Sequence, residues 1–63
     1  RQTSSIPALS RALKDREALV RGHAAWALGQ IGGSEAQQAL KAALDQEEDP
    51  EVLGEIRAAL ASS

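Results

Sequence analysis

The 63-residue sequence contains no cysteine, methionine, phenylalanine or tyrosine, and a single tryptophan and a single histidine. Without cysteine there is no disulfide, no thiolate metal ligand and no thiol nucleophile. One histidine is too few for a zinc site built from imidazoles, and one aromatic is little for stacking on bases. No apolar run approaches the ~20 residues of a membrane span, and no signal-peptide pattern is present. The expectation is a soluble, cytoplasmic protein with no membrane partner.

The residues that are present are thirteen alanines, eight leucines, three isoleucines, two valines and Trp26, which together make the whole apolar inventory. A chain of this length buries only about 60% of the surface its unfolded form exposes. Marginal stability alone, or completion by a larger parent, is therefore expected. Net charge is −2, unevenly divided. Residues 1–33 carry five bases against two acids, a balance of +3, and residues 34–63 carry two bases against seven acids, a balance of −5. The division reads either as ordinary solvated helix faces or as a basic face turned towards a phosphate backbone.

An alanine-rich chain with one aromatic and no β-branched clusters disfavours strands. The apolar spacing is helical throughout: Ile6, Leu9 and Leu13; Val20, Ala24, Ala27, Leu28 and Ile31; Ala36, Leu40, Ala43 and Leu44; Val52, Ile56, Ala59 and Leu60. Punctuation agrees with these stripes. Ser5 is placed to cap a first helix with Pro7 in its first turn. Lys14 to Glu17 make a polar turn, and Gly32-Gly33 end a second helix. Ser34 with Gln37 has capping-box spacing, and Asp49-Pro50 reads as N-cap and first helical position. Helices are predicted near 6–13, 18–31, 35–46 and 50–61.

The chain also repeats itself. A shift of 32 places Val20 on Val52, Gly22 on Gly54, Ala24 on Ile56, Ala27 on Ala59 and Leu28 on Leu60. A shift of 31 places Leu9 on Leu40 and Leu13 on Leu44. Two helices in each period of about 30 residues is the signature of a solenoid, in which neighbouring units cover each other's apolar faces. The expected fold is all-α: two stacked helix-turn-helix repeats, the first about 5–33 and the second about 34–63.

The first repeat carries Asp15, then Val20-Arg21, Ala24, Ala27-Leu28-Gly29 and Ile31-Gly32. This pattern resembles the HEAT-like repeats of phycobilin-lyase-related proteins. Asp15 is suited to accept turn N–H groups, the alanines allow close helix approach, and the glycines stop the helix. In the second repeat Leu53 stands where Arg21 stood and Ile56 where Ala24 stood, the kind of departure expected of a terminal or near-terminal repeat.

The stretch Leu19-Val20-Arg21-Gly22-His23-Ala24-Ala25-Trp26-Ala27-Leu28-Gly29 is more particular, and with Glu47-Glu48-Asp49-Pro50-Glu51-Val52 it resembles the HEAT-like tail of bacterial epoxyqueuosine reductases. These are iron–sulfur and cobalamin enzymes that complete queuosine in tRNA. The resemblance covers residues 6–61 and implies a piece of such an enzyme that helps hold tRNA. Its clusters and cobalamin would belong to a catalytic domain missing from this chain. A start at Arg1 fits a truncated chain. The alternative is a generic HEAT repeat acting in protein–protein interaction or as a structural part. No Ser, His and Asp arrangement points to catalysis by the chain itself.

Arg11, Lys14, Arg16 and Arg21 are the candidate phosphate contacts. Arg21 also has a structural reading, pairing with Asp15 or with a neighbouring repeat's turn. Leu19, His23 and Trp26 share one flank of the second helix and are the candidate interface, either to the missing domain or to another copy of the chain. Packing of Trp26 against the third and fourth helices, and a half-buried His23 bonded to a backbone carbonyl, are the structural alternatives. Glu47 to Asp49 read as a polar turn with a cap, lacking the spaced ligands of a calcium loop. Gly54, costing about 1 kcal/mol inside a helix, is expected to mark a close helix crossing.

Overall fold

The computed structural model describes residues 6–62. Among these are four helices and no strand: α1 (Ile6–Ala12), α2 (Ala18–Ile31), α3 (Gly33–Gln46) and α4 (Pro50–Ser62). All four match the predicted elements. Ser5, the expected cap of α1, lies outside the described residues.

The turns follow from local chemistry. After α1 the chain tightens, with the Lys14 N–H bonding the Arg11 carbonyl and the Asp15 N–H the Ala12 carbonyl. At the other loop Asp49 caps α4: its Oδ1 accepts the N–H groups of Glu51 (2.9 Å) and Val52 (3.2 Å), and Pro50 occupies the first helical position. Between α2 and α3 a single residue, Gly32, ends one helix and begins the next, at φ 72°. Gly33 follows at φ 87°, so both residues sit where a side chain would be strained. The helix therefore starts before Ser34, which becomes its second residue rather than its cap.

The core is formed by Ile6, Leu13, Ala24, Ala25, Leu28, Ala36, Leu40, Val52, Ile56 and Ala59. It draws on every helix, and the most extensive helix–helix interface joins α2 to α4. That crossing is close because of Gly29. A Cβ built there would lie 2.8 Å from the Ala59 Cβ. Gly54 has open space around it, so the expectation of a close crossing at Gly54 is corrected: the intimate contact is one repeat earlier and on the other helix.

The buried face of α2 is rotated from the expected stripe. With Val20 at zero, Ala24, Leu28 and Ala25 lie at about 40°, 80° and 140°, and these are its buried residues. Val20 itself is 38% exposed, although it was expected in the core. The helix is apolar over so much of its circumference that periodicity alone does not say which arc meets its neighbours.

Candidate functional site

The turns that precede α2 and α4 are built alike. Asp15 Oδ1 accepts the Glu17 N–H (2.9 Å), and Glu47 Oε2 accepts the Asp49 N–H (3.0 Å), the same two-residue step one period of 32 later. Arg21 joins the two. Its Nη1 donates to the Asp15 carbonyl at 2.7 Å, while Nε and Nη2 donate to Glu47 Oε1 and Oε2 at 2.8 and 3.0 Å. The planar guanidinium matches the carboxylate on both oxygens, which is the strongest form of such a pair. Arg21 lies near the middle of the buried arc of α2, and the Glu47 side chain is only 5% exposed.

The pair shifts both groups. The hydrogen bond from Arg21 holds the Glu47 carboxyl below its ordinary range against the opposing effect of burial, with the Asp49 N–H adding to the depression. The same bond raises Arg21, with the charges of Glu47, Asp49 and Asp15 acting in the same direction. The Glu47–Asp49 segment is thus a polar turn with a cap, as its residues indicate, but it also contains a buried acceptor. The signal that could have found it is the repetition of Asp15 and Glu17 as Glu47 and Asp49 at the period of the apolar residues.

Around this ladder lies an open groove lined by Ser10, Leu13, Ala39, Ala42, Ala43 and Gln46 together with all four candidate cations, Arg11, Lys14, Arg16 and Arg21. The structure therefore brings the four together, but not as equals. Arg21 has its donors directed at Glu47 and the Asp15 carbonyl, whereas Arg11, Lys14 and Arg16 are exposed. Asp15, Glu47 and Glu48 line the same groove, and Glu48 is exposed beside the free cations.

A second surface runs along the opposite arc of α2. Leu19 is 71% exposed and Trp26 59% exposed, and His23 between them is exposed as well. This corrects two structural expectations: Trp26 does not pack beneath α3 and α4, and His23 is not half-buried. Both line an open groove with Leu9, Ala12, Val20, Ala27 and Glu55. The spacing marks this flank as a candidate interface, and neither repeat covers it.

Among the described residues no group of three or more His, Cys, Asp or Glu is placed to hold a metal ion. None of the described helices is long and apolar enough to cross a membrane.

Residues 1–61 match the family described as HEAT repeats. Over 61 residues, 95% of the chain, the sequence is 43% identical to the epoxyqueuosine reductase of Bacillus cereus and 43% identical to that of Bacillus anthracis. It is 41% identical over 56 residues, 87% of the chain, to the epoxyqueuosine reductase of Listeria monocytogenes. The aligned stretch makes up 16%, 16% and 15% of those proteins, so the chain spans about a sixth of the length of the curated relatives it matches. No solved structure matches it.

Proposed function

Because the chain belongs to the HEAT repeat family, and because the relatives it aligns with are about six times its length, we propose that it is a non-catalytic repeat module of an epoxyqueuosine-reductase-like protein and helps that protein hold tRNA. The observation that carries this reading is the exposure of Arg11, Lys14 and Arg16 around one groove, while Arg21 is held by Glu47. Arg21 then acts by fixing the turn from which Lys14 and Arg16 project, and the three free cations meet phosphates. The iron–sulfur and cobalamin chemistry implied for such a protein lies with residues outside this chain.

Each phosphate neutralised contributes roughly 0.7–0.9 to the slope of log affinity against log salt. Replacing Arg11, Lys14 and Arg16 together by alanine in the longer protein is expected to weaken tRNA binding and flatten that slope by about 2. Glu48→Gln, which removes a negative charge from the same groove, is expected to tighten binding modestly. A fluorescence titration across a salt series measures both. Unchanged affinity and slope in the triple variant would exclude the tRNA role.

A second reading is a structural or protein-interaction module, favoured by the exposed Leu19, His23 and Trp26. Large apolar side chains left in water side by side mark docking surfaces. On this reading the flank braces a catalytic domain, and Trp26→Ala lowers the melting temperature of the longer protein without changing its tRNA affinity. A loss confined to tRNA binding would argue against it.

A further inference from the structure

The flank that carries Trp26 is continued by a second helix, and the continuation is acidic. α2 and α4 run side by side in the same direction: a Cβ built at Gly22 would lie 3.8 Å from the Glu55 Cγ, and one built at Gly29, further along α2, meets Ala59, further along α4. The Glu55 side chain therefore lies against Gly22 and forms part of the same wall as His23 and Trp26. Glu51 stands one turn earlier on the same arc of α4, at about the level of Leu19. Both carboxylates are exposed, and among the described residues neither is in an ion pair. Arg57, the cation of α4, lies about 160° around the helix from Glu55. The groove that holds Arg11, Lys14 and Arg16 shares no lining residue with this one.

This combination selects a ligand chemistry. Leu19 and Trp26 offer apolar area, an indole attracts a cation lying over its ring, and a carboxylate at its border accepts the N–H groups of lysine or arginine. The same two negative charges repel phosphates, so a nucleic-acid backbone is disfavoured here. Size selects the source of the ligand. From Leu19 to Trp26 the stripe is about 10 Å long, whereas a stable complex between separate molecules takes about 800 Å² from each partner. So small a face holds a segment that is tethered to it, because a linker supplies effective concentrations on the order of millimolar. The curated relatives are about six times as long as this chain, a length in which such a segment has room.

We propose, resting on the protein-interaction reading, that Leu19, Trp26, Glu51 and Glu55 form a docking face for a basic amphipathic segment of the same longer polypeptide. Its apolar residues cover Leu19 and Trp26, and a lysine or arginine sits between the indole and Glu55. Glu51 and Glu55 select the partner by charge, and the apolar side chains supply the area. The two grooves then divide the ligands: anionic at Arg11, Lys14 and Arg16, cationic at Trp26.

Hydroxyl-radical footprinting read by mass spectrometry follows the oxidation of Trp26 in the longer protein and in the 63-residue chain. Oxidation is expected to be several-fold slower in the longer protein at every protein concentration, and to recover in high salt, which screens exposed charge pairs. Replacing Glu51 and Glu55 together by lysine should weaken docking roughly tenfold, and replacing both by glutamine should weaken it less. Circular dichroism of these variants checks that the helices persist. In the 63-residue chain, where Trp26 is 59% exposed, the same replacements should leave its oxidation unchanged. Protection that survives the lysine variant would overturn the basic partner and leave the docking reading standing. Equal oxidation of Trp26 in the two proteins would overturn both. Protection that fades on dilution would assign the face to a separate molecule, and protection that appears only with tRNA would assign it to nucleic acid; either outcome overturns the proposal.

Discussion

Repeat one and repeat two place similar residues at similar positions and give them different fates. Leu28 is fully buried and Leu60 half-buried; Val52 is buried and Val20 exposed; Arg21 bridges two turns and Leu53 bridges none. The side chains in the first two comparisons are the same, so chemistry does not separate them. What differs is the presence of a neighbour on one side. In a stacked array burial belongs to the interface between units, and an end unit has one interface where an interior unit has two.

Substitutions at equivalent positions sharpen this contrast. The largest effect is expected from Leu28→Ala, which empties a fully enclosed site and costs about 3 kcal/mol, against about 1 for Leu60→Ala. Urea denaturation measures both, and equal costs would break the comparison. Val52→Ala is expected to cost about 2 kcal/mol and Val20→Ala less than about 0.5, since one empties a packed site and the other trims an open one. Gly29→Ala follows at about 1–2 kcal/mol, because its Cβ would press on Ala59 at 2.8 Å and α4 must move away.

Acid pH probes the ladder. The folded state holds the Glu47 carboxyl below its ordinary 4.5. Between the folded and unfolded values the unfolded chain binds more protons, so stability declines as pH falls through that window. The contribution is fully present above about pH 5 and is lost below 4.5 as the folded group protonates. Glu47→Gln should flatten that part of a pH–stability curve measured by thermal unfolding, and an unchanged curve would show that the Arg21 pair contributes nothing there. The smallest expected effect is a gain: Gly54→Ala, in open space on α4, should stabilise by about 0.5–1 kcal/mol through helix propensity.

The elements themselves were legible because their signals are local. Asp49-Pro50 announces a helix start within two residues, Gly32-Gly33 a boundary within two, and the apolar stripes recur every three or four positions. The weakest local inference, Ser34 as a cap, failed by two residues because Gly32 alone serves both helices. The candidate cations were also readable, since a cluster of basic residues in and beside a short turn converges on one groove whatever the helices beyond it do.

The linear sequence was thus enough to determine four helices, a period of 32 and a basic first turn, all consequences of backbone preference and short-range spacing. Tertiary structure decided which arc of α2 turns inward, that Gly29 rather than Gly54 admits a neighbouring helix, and that Arg21 spends its donors on Glu47. Those outcomes depend on residues about 26–30 positions apart being brought together. An apolar helix face has no preferred neighbour until one is packed against it, so the exposure of Leu19, His23 and Trp26 follows from which arc of α2 the other helices cover.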